Sequence, residues 1–154
     1  MSWRIRKPTG AILLPFTRIG GNITFPPPLL AHVQTDGSYG RKGARVAAII
    51  LSAGHKHGWR DLATIKAHSS TETEWASVAF GLQLAIKNSQ EAIGLENDNL
   101  SVIQGLLFPK NPLRHEYANH YRNEIQQLAA KTVWTGVRWI PRERNKADDL
   151  FHLR

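Results

Sequence analysis

The sequence predicts a mixed α/β domain built on a five-stranded sheet in the order βββαβααβα, and three observations carry that expectation. Strand-like segments come first, the hydrophobic period then changes from 2 to 3.6, and from there strands and helices alternate. Such an order predicts three antiparallel strands followed by two parallel ones reached through crossover helices. A chain of 154 residues with 42% hydrophobic composition fits one domain and buries enough surface for a core without staples.

The first 28 residues stand apart. They hold Pro8, Pro15, Gly20, Gly21 and the run Pro26-Pro27-Pro28, which interrupt any long regular element. They also carry Arg4, Arg6, Lys7 and Arg18 with no acid, half of the net charge of +8. Residues 1–28 are therefore expected as an extended basic arm, with the folded domain spanning 29–154. Leu30 to Thr35 reads as the first strand, ending in the turn signal Asp36-Gly37-Ser38, which the loose Gly40-Arg41-Lys42-Gly43 follows. Arg45 to Ala53 is a nearly continuous apolar run, as in a central strand. Gly54 to Gly58 reads as a turn, and Trp59 to Lys66 as the third strand. His55-Lys56-His57 in that turn resembles a metal clip, but two His make a poor zinc site, so a solvated turn is expected.

Trp75, Val78, Ala79, Leu82 and Ile86 then fall at i, i+3, i+4, i+7 and i+11, one stripe of an amphipathic helix. Glu91 to Asn97 is a short strand. Leu100, Ile103 and Leu106 suggest a short helix stopped by Pro109. Leu113, Tyr117, Tyr121, Ile125 and Leu128 mark a longer one. Val133 to Ile140 is the fifth strand, and a last short helix begins at Asn145. Trp75, Trp134 and Trp139 are expected in the core.

Composition narrows the function classes. With no Cys, a disulfide framework, a thiolate zinc site and a cysteine nucleophile are excluded. No apolar run approaches the roughly 18 residues of a membrane span, so a soluble cytoplasmic domain is expected. The basic balance favours polyanionic partners. Only twelve acids are present, which makes their placement informative. Asp36 and Asp98 sit at strand ends that pairing would bring together. Glu74 lies in the first turn of the long helix, and Asp148 and Asp149 lie in the closing one. Each has an ordinary structural alternative. Asp36 could belong to a turn, Thr71 and Glu74 could form a capping box, Asp98-Asn99 could cap the next helix, and Asp148 and Asp149 could be solvated charges.

Four stretches in order resemble the ribonuclease H type 1 family. Thr35-Asp36-Gly37-Ser38 is similar to its first motif. Glu74 with Ala79 and Gly81-Leu82 resembles the Glu-bearing helix. Asp98 with Val102 and Gln104-Gly105-Leu106 resembles the third motif, and residues 142–150 resemble the closing one. The alternatives above do not predict that all four occur together. About four-fifths of the chain is covered.

The resemblance implies an RNase H-like fold and endonucleolytic hydrolysis of the RNA strand of RNA–DNA hybrids, leaving 3′-hydroxyl and 5′-phosphate ends. It implies two Mg2+ ions, with Mn2+ as a substitute, held by Asp36, Glu74, Asp98 and Asp148. Asp149 is the alternative fourth ligand, since it lies four residues after Asn145. Gly37, Ser38, Ser70, Thr71, Gln104 and Arg142 are the implied substrate-binding residues, and a monomer is expected. Two departures stand out. The loop Ile140-Pro141-Arg142-Glu143-Arg144 lacks the His that many members carry, and Phe108 to Pro112 leaves no room for the basic handle of the long forms. The basic arm is then a candidate for substrate grip. A DNA-cutting nuclease of resolvase or transposase type, or a non-catalytic hybrid-binding module, are the rival readings.

Overall fold

A computed structural model describes residues 14–51 and 58–152. The sheet has six strands: β1 (Thr17–Gly20), β2 (Ala31–Gly40), β3 (Gly43–Leu51), β4 (Trp59–Ile65), β5 (Ala92–Asn97) and β6 (Trp134–Trp139). Their spatial order is β1-β6-β5-β2-β3-β4. The expected meander is β2-β3-β4, and β5 and β6 add in parallel beside β2. Three helices follow the expected plan: α1 (Ser70–Lys87), α2 (Leu100–Leu107) and α3 (Glu116–Ala129). No helix among the described residues is long and apolar enough to cross a membrane.

The sixth strand corrects the five-stranded expectation. Thr17–Gly20, inside the segment read as an arm, pairs antiparallel with β6. Four residues flanked by Pro15 and Gly21 carry no periodicity of their own, so only the partner edge makes them a strand. Arg18 is drawn into the same structure, donating from Nε to the Ile23 carbonyl and from Nη2 to that of Gly21. Residues 1–13, with the other arm cations, lie outside the described residues, as do residues 52–57 with His55-Lys56-His57.

A second correction concerns Asp36-Gly37-Ser38, which is not a turn. β2 runs straight through it, pairing Asp36 with Ala47, Gly37 with Val46 and Ser38 with Arg45. The chain reverses at Arg41-Lys42, within the loose Gly40–Gly43 stretch that follows. Turn-forming residue types were outweighed by nine consecutive pairings to an apolar neighbour. The closing segment also differs, forming 3₁₀ turns at Arg142–Arg144 and Lys146–His152 in place of an α-helix.

Alternation divides the sheet into two faces. Val33, Ala48 and Ile50 join Trp75, Val78, Leu82, Ile103 and Ile125 in the core, all essentially sealed from solvent, with Trp134 and Trp139 also buried. On the opposite face the second 3₁₀ turn docks through Ala147 and Leu150 on Ala47. The small residues set the spacing of these layers. A Cβ at Gly81 would stand 2.3 Å from Cγ2 of Thr35 and 3.1 Å from Cγ1 of Val33. Gly81→Ala is therefore expected to lift α1 from β2 and destabilise the domain by about 1–3 kcal/mol, read as a lower midpoint in urea unfolding.

Candidate active site

The three central carboxylates come from three different elements. Asp36 lies in mid-β2, just beyond the last pairing of β2 with β5 at Gln34 and Glu96. Asp98 follows the end of β5, and Glu74 projects from the first turns of α1. One carboxylate oxygen of each lies within 4.8 Å of the others. They line a cavity of about 670 Å³ together with Asp148, Ser38, Ser70 and Arg142.

The capping roles open to these acids are filled by their neighbours. Ser69 is the N-cap of α1, its Oγ accepting the Glu72 N–H at 3.1 Å, while Glu72 Oε1 accepts the His68 N–H at 2.9 Å. The alternative Thr71/Glu74 capping box is therefore not what caps α1, and Glu74 faces the cavity. Asn99, not Asp98, caps α2 by accepting the Val102 N–H at 3.1 Å. Glu74 instead accepts the Gly37 N–H at 3.0 Å through Oε1. Its Oε2 is buried with no hydrogen-bond partner among the described residues.

A scaffold of amides holds the strand ends in place. Asn97 Nδ2 donates to the Thr35 carbonyl at 3.0 Å and to its hydroxyl at 2.9 Å. Asn145 Nδ2 donates to the same carbonyl at 2.8 Å and approaches Asp98 Oδ2 at 3.5 Å. The Gln34 side chain accepts the Lys146 N–H at 2.8 Å and donates to the Arg144 carbonyl at 3.1 Å. These bonds tie β2, β5 and the closing turns into one frame. Asn97 and Gln34 were not singled out from sequence, because an Asn or Gln inside a strand carries no signal until its cross-strand partner is known. Glu96, on the other hand, is buried but compensated by Arg138, whose Nη2 lies 2.6 Å from Oε2 and whose Nε donates at 2.7 Å. It is a structural ion pair.

The electrostatics are those of a site short of positive charge. Burial first, then the charges of Glu74, Asp98 and Asp148, push the Asp36 carboxyl far above the usual range. Burial and the Asp98 charge raise Glu74, against the pull of the Gly37 N–H. Burial also raises Asp98, offset by Asn145 and Arg142. Oxygen-only donors, mutual repulsion and the orphaned Glu74 oxygen fit a hard divalent cation such as Mg2+ or Mn2+.

A testable pH dependence follows for the metal-free protein. A carboxyl whose pKa is raised on folding favours the folded state fully below its unfolded pKa, near 4. That contribution is lost as pH rises through the folded value. In chelator, Asp36→Asn should therefore melt higher than the parent protein at pH 8, with the gap closing toward pH 4. A gain of about 1 kcal/mol would raise Tm by roughly 2–4 °C at this size. A gap independent of pH would refute the assignment of the strain to these carboxylates.

The remaining residues sort by position. Asp148 lines the main cavity, whereas Asp149 is exposed and borders only the neighbouring pocket. Gly37 lines the cavity, but its N–H is engaged by Glu74. Thr71 and Gln104, on α1 and α2, are not among the residues lining it. Lys42, Arg45 and His152 were not foreseen and do line it. His152 Nε2 stands 3.7 Å from Asp148 Oδ2. A hairpin length and a helical offset placed them there, and neither was legible while β2 was taken to end at Asp36 rather than to pair on to Gly40.

Comparison with solved structures returns the same architecture. The N-terminal RNase H domain of a Mycobacterium tuberculosis protein superposes with a TM-score of 0.70 at 21% identity, covering 79% of this chain and 90% of that one. RNase H1 from the halophilic archaeon Halobacterium salinarum gives 0.67 at 20% identity, covering 78% and 92%. LC11-RNase H1, solved in complex with an RNA/DNA hybrid, gives 0.65 at 17% identity, covering 77% and 91%. No curated protein sequence matches significantly. The sequence model of the reverse transcriptase-like family, however, matches residues 34–151, a span that holds all four carboxylates. With that match and the fold of the type 1 ribonucleases H, the chain belongs to the reverse transcriptase-like family.

Proposed function

We propose that this protein is a ribonuclease H, hydrolysing the RNA strand of RNA–DNA hybrids to leave 3′-hydroxyl and 5′-phosphate ends. The observation that carries the reading is the convergence of Asp36, Glu74 and Asp98 within 4.8 Å, after Ser69, Glu72 and Asn99 have taken every capping role nearby. Acids gathered outside the helix caps, one with an oxygen left unpaired among the described residues, are arranged for a ligand. Asp36, Glu74, Asp98 and Asp148 would hold two Mg2+ ions, or Mn2+ in their place. When bound, these ions supply an activated water and offset charge on the departing oxygen.

The chain's own groups do the rest. Glu74 is aimed by the Gly37 N–H, and Asp98 is aimed by Asn145. Ser38 and Ser70 present hydroxyls at the cavity wall, where they can meet sugar and phosphate oxygens of a bound strand; the wide minor groove of a hybrid exposes its 2′-hydroxyls to such contacts. Arg142 places a cation beside Asp98, suited to a phosphate. Thr71 and Gln104 would engage the hybrid from outside the cavity. All four carboxylates come from one chain, so a monomer suffices.

The test is cleavage of an end-labelled RNA–DNA hybrid with Mg2+ or Mn2+, beside duplex DNA and duplex RNA. Hybrid-specific cutting is the expected outcome. Cutting of duplex DNA would move the protein to the resolvase side. Metal-independent hybrid binding without cleavage would make it a binding module.

A further inference from the structure

Four carboxylates in one cavity repel the polyanion that must enter it. Metal ions offset the charge at the scissile phosphate, but the neighbouring phosphates of the same strand still approach an acidic wall. On that wall the β2–β3 hairpin supplies two cations, Lys42 and Arg45, which line the same cavity as Asp36 and Glu74.

Their placement is set by register. Asp36 pairs with Ala47 and Ser38 with Arg45, and residues directly opposite in an antiparallel pair share a face. Arg45 therefore lies on the Asp36 face, one two-residue step along the sheet, or about 7 Å at strand rise. That offset is comparable to the separation of successive phosphates along a nucleic-acid strand. The Ser38 hydroxyl stands beside Arg45 at the same level. The guanidinium is also seated, lying 5.2 Å over the ring of Phe151 in the same 3₁₀ turn that carries Asp148. Neither Lys42 nor Arg45 forms an ion pair among the described residues, so both charges remain available to a ligand. A planar guanidinium fixed on an aromatic ring suits bidentate recognition of a phosphate.

We propose that Arg45, seated on Phe151 and flanked by Ser38 and Lys42, is an anion seat for the phosphate next to the scissile one on the cleaved strand. This rests on the ribonuclease H reading and names a specificity element within it. In a chain with no room for a basic handle, the seat supplies grip and sets which phosphate lies over the carboxylates. Phe151 acts as a positioning residue, through Arg45.

The test measures hybrid affinity against salt in an Asp36→Asn background, where cleavage does not interfere. Arg45→Gln is expected to weaken binding roughly 3- to 10-fold and to make the log K versus log salt slope shallower by about one unit; Lys42→Gln should do the same more weakly. Arg45→Lys should keep the slope, because the charge is kept. Phe151→Leu should weaken binding with the slope nearly unchanged. The decisive arm uses hybrids whose RNA strand carries one neutral methylphosphonate, on either side of the scissile phosphate. At one of these positions the neutral group should weaken binding to the Asp36→Asn protein but cost the added Arg45→Gln variant nothing further. Equal losses in both proteins at both positions, or an unchanged salt slope, would overturn the seat. Failure of the Asp36→Asn protein to bind any hybrid, with duplex DNA bound instead, would overturn the ribonuclease H reading and the seat with it. The parent titration alone separates that outcome from the others.

Discussion

Asp36→Asn should lower hybrid cleavage by roughly 10³-fold or more while leaving the fold intact. Asp36 is the most strongly perturbed acid of the cluster. Its charge shares the cavity with Glu74, Asp98 and Asp148, and it stands in mid-strand where pairing to Ala47 fixes its direction. The isosteric amide keeps that pairing and removes one carboxylate from the proposed metal site. Stabilisation of transition-state charge by a bound cation amounts to several kcal/mol, and each 1.4 kcal/mol is about tenfold in rate, so loss of a ligand reaches the thousandfold range. The measurement is kcat/KM on a labelled hybrid with Mg2+, beside a melting curve in chelator. Lost activity with an unchanged or raised melting temperature is the expected pair of results. Lost activity with a lowered melting temperature would mean that Asp36 holds the strand rather than the chemistry.

Gly37→Ala should have the next largest effect, and by a different route. A Cβ at Gly37 would stand 2.8 Å from the Thr73 carbonyl oxygen and 2.9 Å from its carbon. These are backbone atoms of α1, one residue before Glu74, and no rotamer change relieves the contact. The helix must move, and the Gly37 N–H bond that aims Glu74 moves with it. Overpacking of this kind costs about 1–3 kcal/mol of stability. A displacement near 1 Å at a reacting centre can cost about 10²-fold in rate. The expected signature is a drop in kcat larger than the loss in urea midpoint would suggest, with Mg2+ dependence shifted to higher concentration. An activity loss fully recovered under conditions that restore the folded fraction would show that Gly37 matters only for packing.

These two glycine-mediated contacts explain why the motifs read as they do. Gly81 lets the middle of α1 lie on Thr35 and Val33, and Gly37 lets its first turn lie on β2. Together they bring a helix-borne carboxylate to a strand-borne one. From sequence, Gly81-Leu82 is a motif fragment and Asp36-Gly37-Ser38 a turn signal. The close approach that both permit exists only once α1 has docked.

Much of the architecture was legible because it depends on short-range pattern. The stripe from Trp75 to Ile86, the buried run within β3 and the positions of α2, β5 and β6 follow from side-chain periodicity, which each element expresses alone. The four carboxylates were grouped differently, by the resemblance of their four motifs to the ribonuclease H type 1 family, since each acid alone also fits an ordinary turn, cap or solvated charge. What local pattern could not decide was anything that needed a partner. Thr17–Gly20 becomes a strand only because the edge of β6 is open to it. Asp36 stays within a strand because β3 pairs past it. Ser69 and Asn99 take the caps because the helices begin where packing, rather than the nearest acid, requires.

The amino-acid sequence by itself determined the element order and the core stripe, since these rest on periodicity, and it carried the four motifs whose family resemblance groups the acids. Tertiary structure decided which acids were left without a structural role, that Asp148 rather than Asp149 faces the cavity, and that Lys42 and Arg45 border it. The physical reason is that a carboxylate's role depends on the donors and charges around it, and those are brought from β2, β5, α1 and the closing turns only by folding.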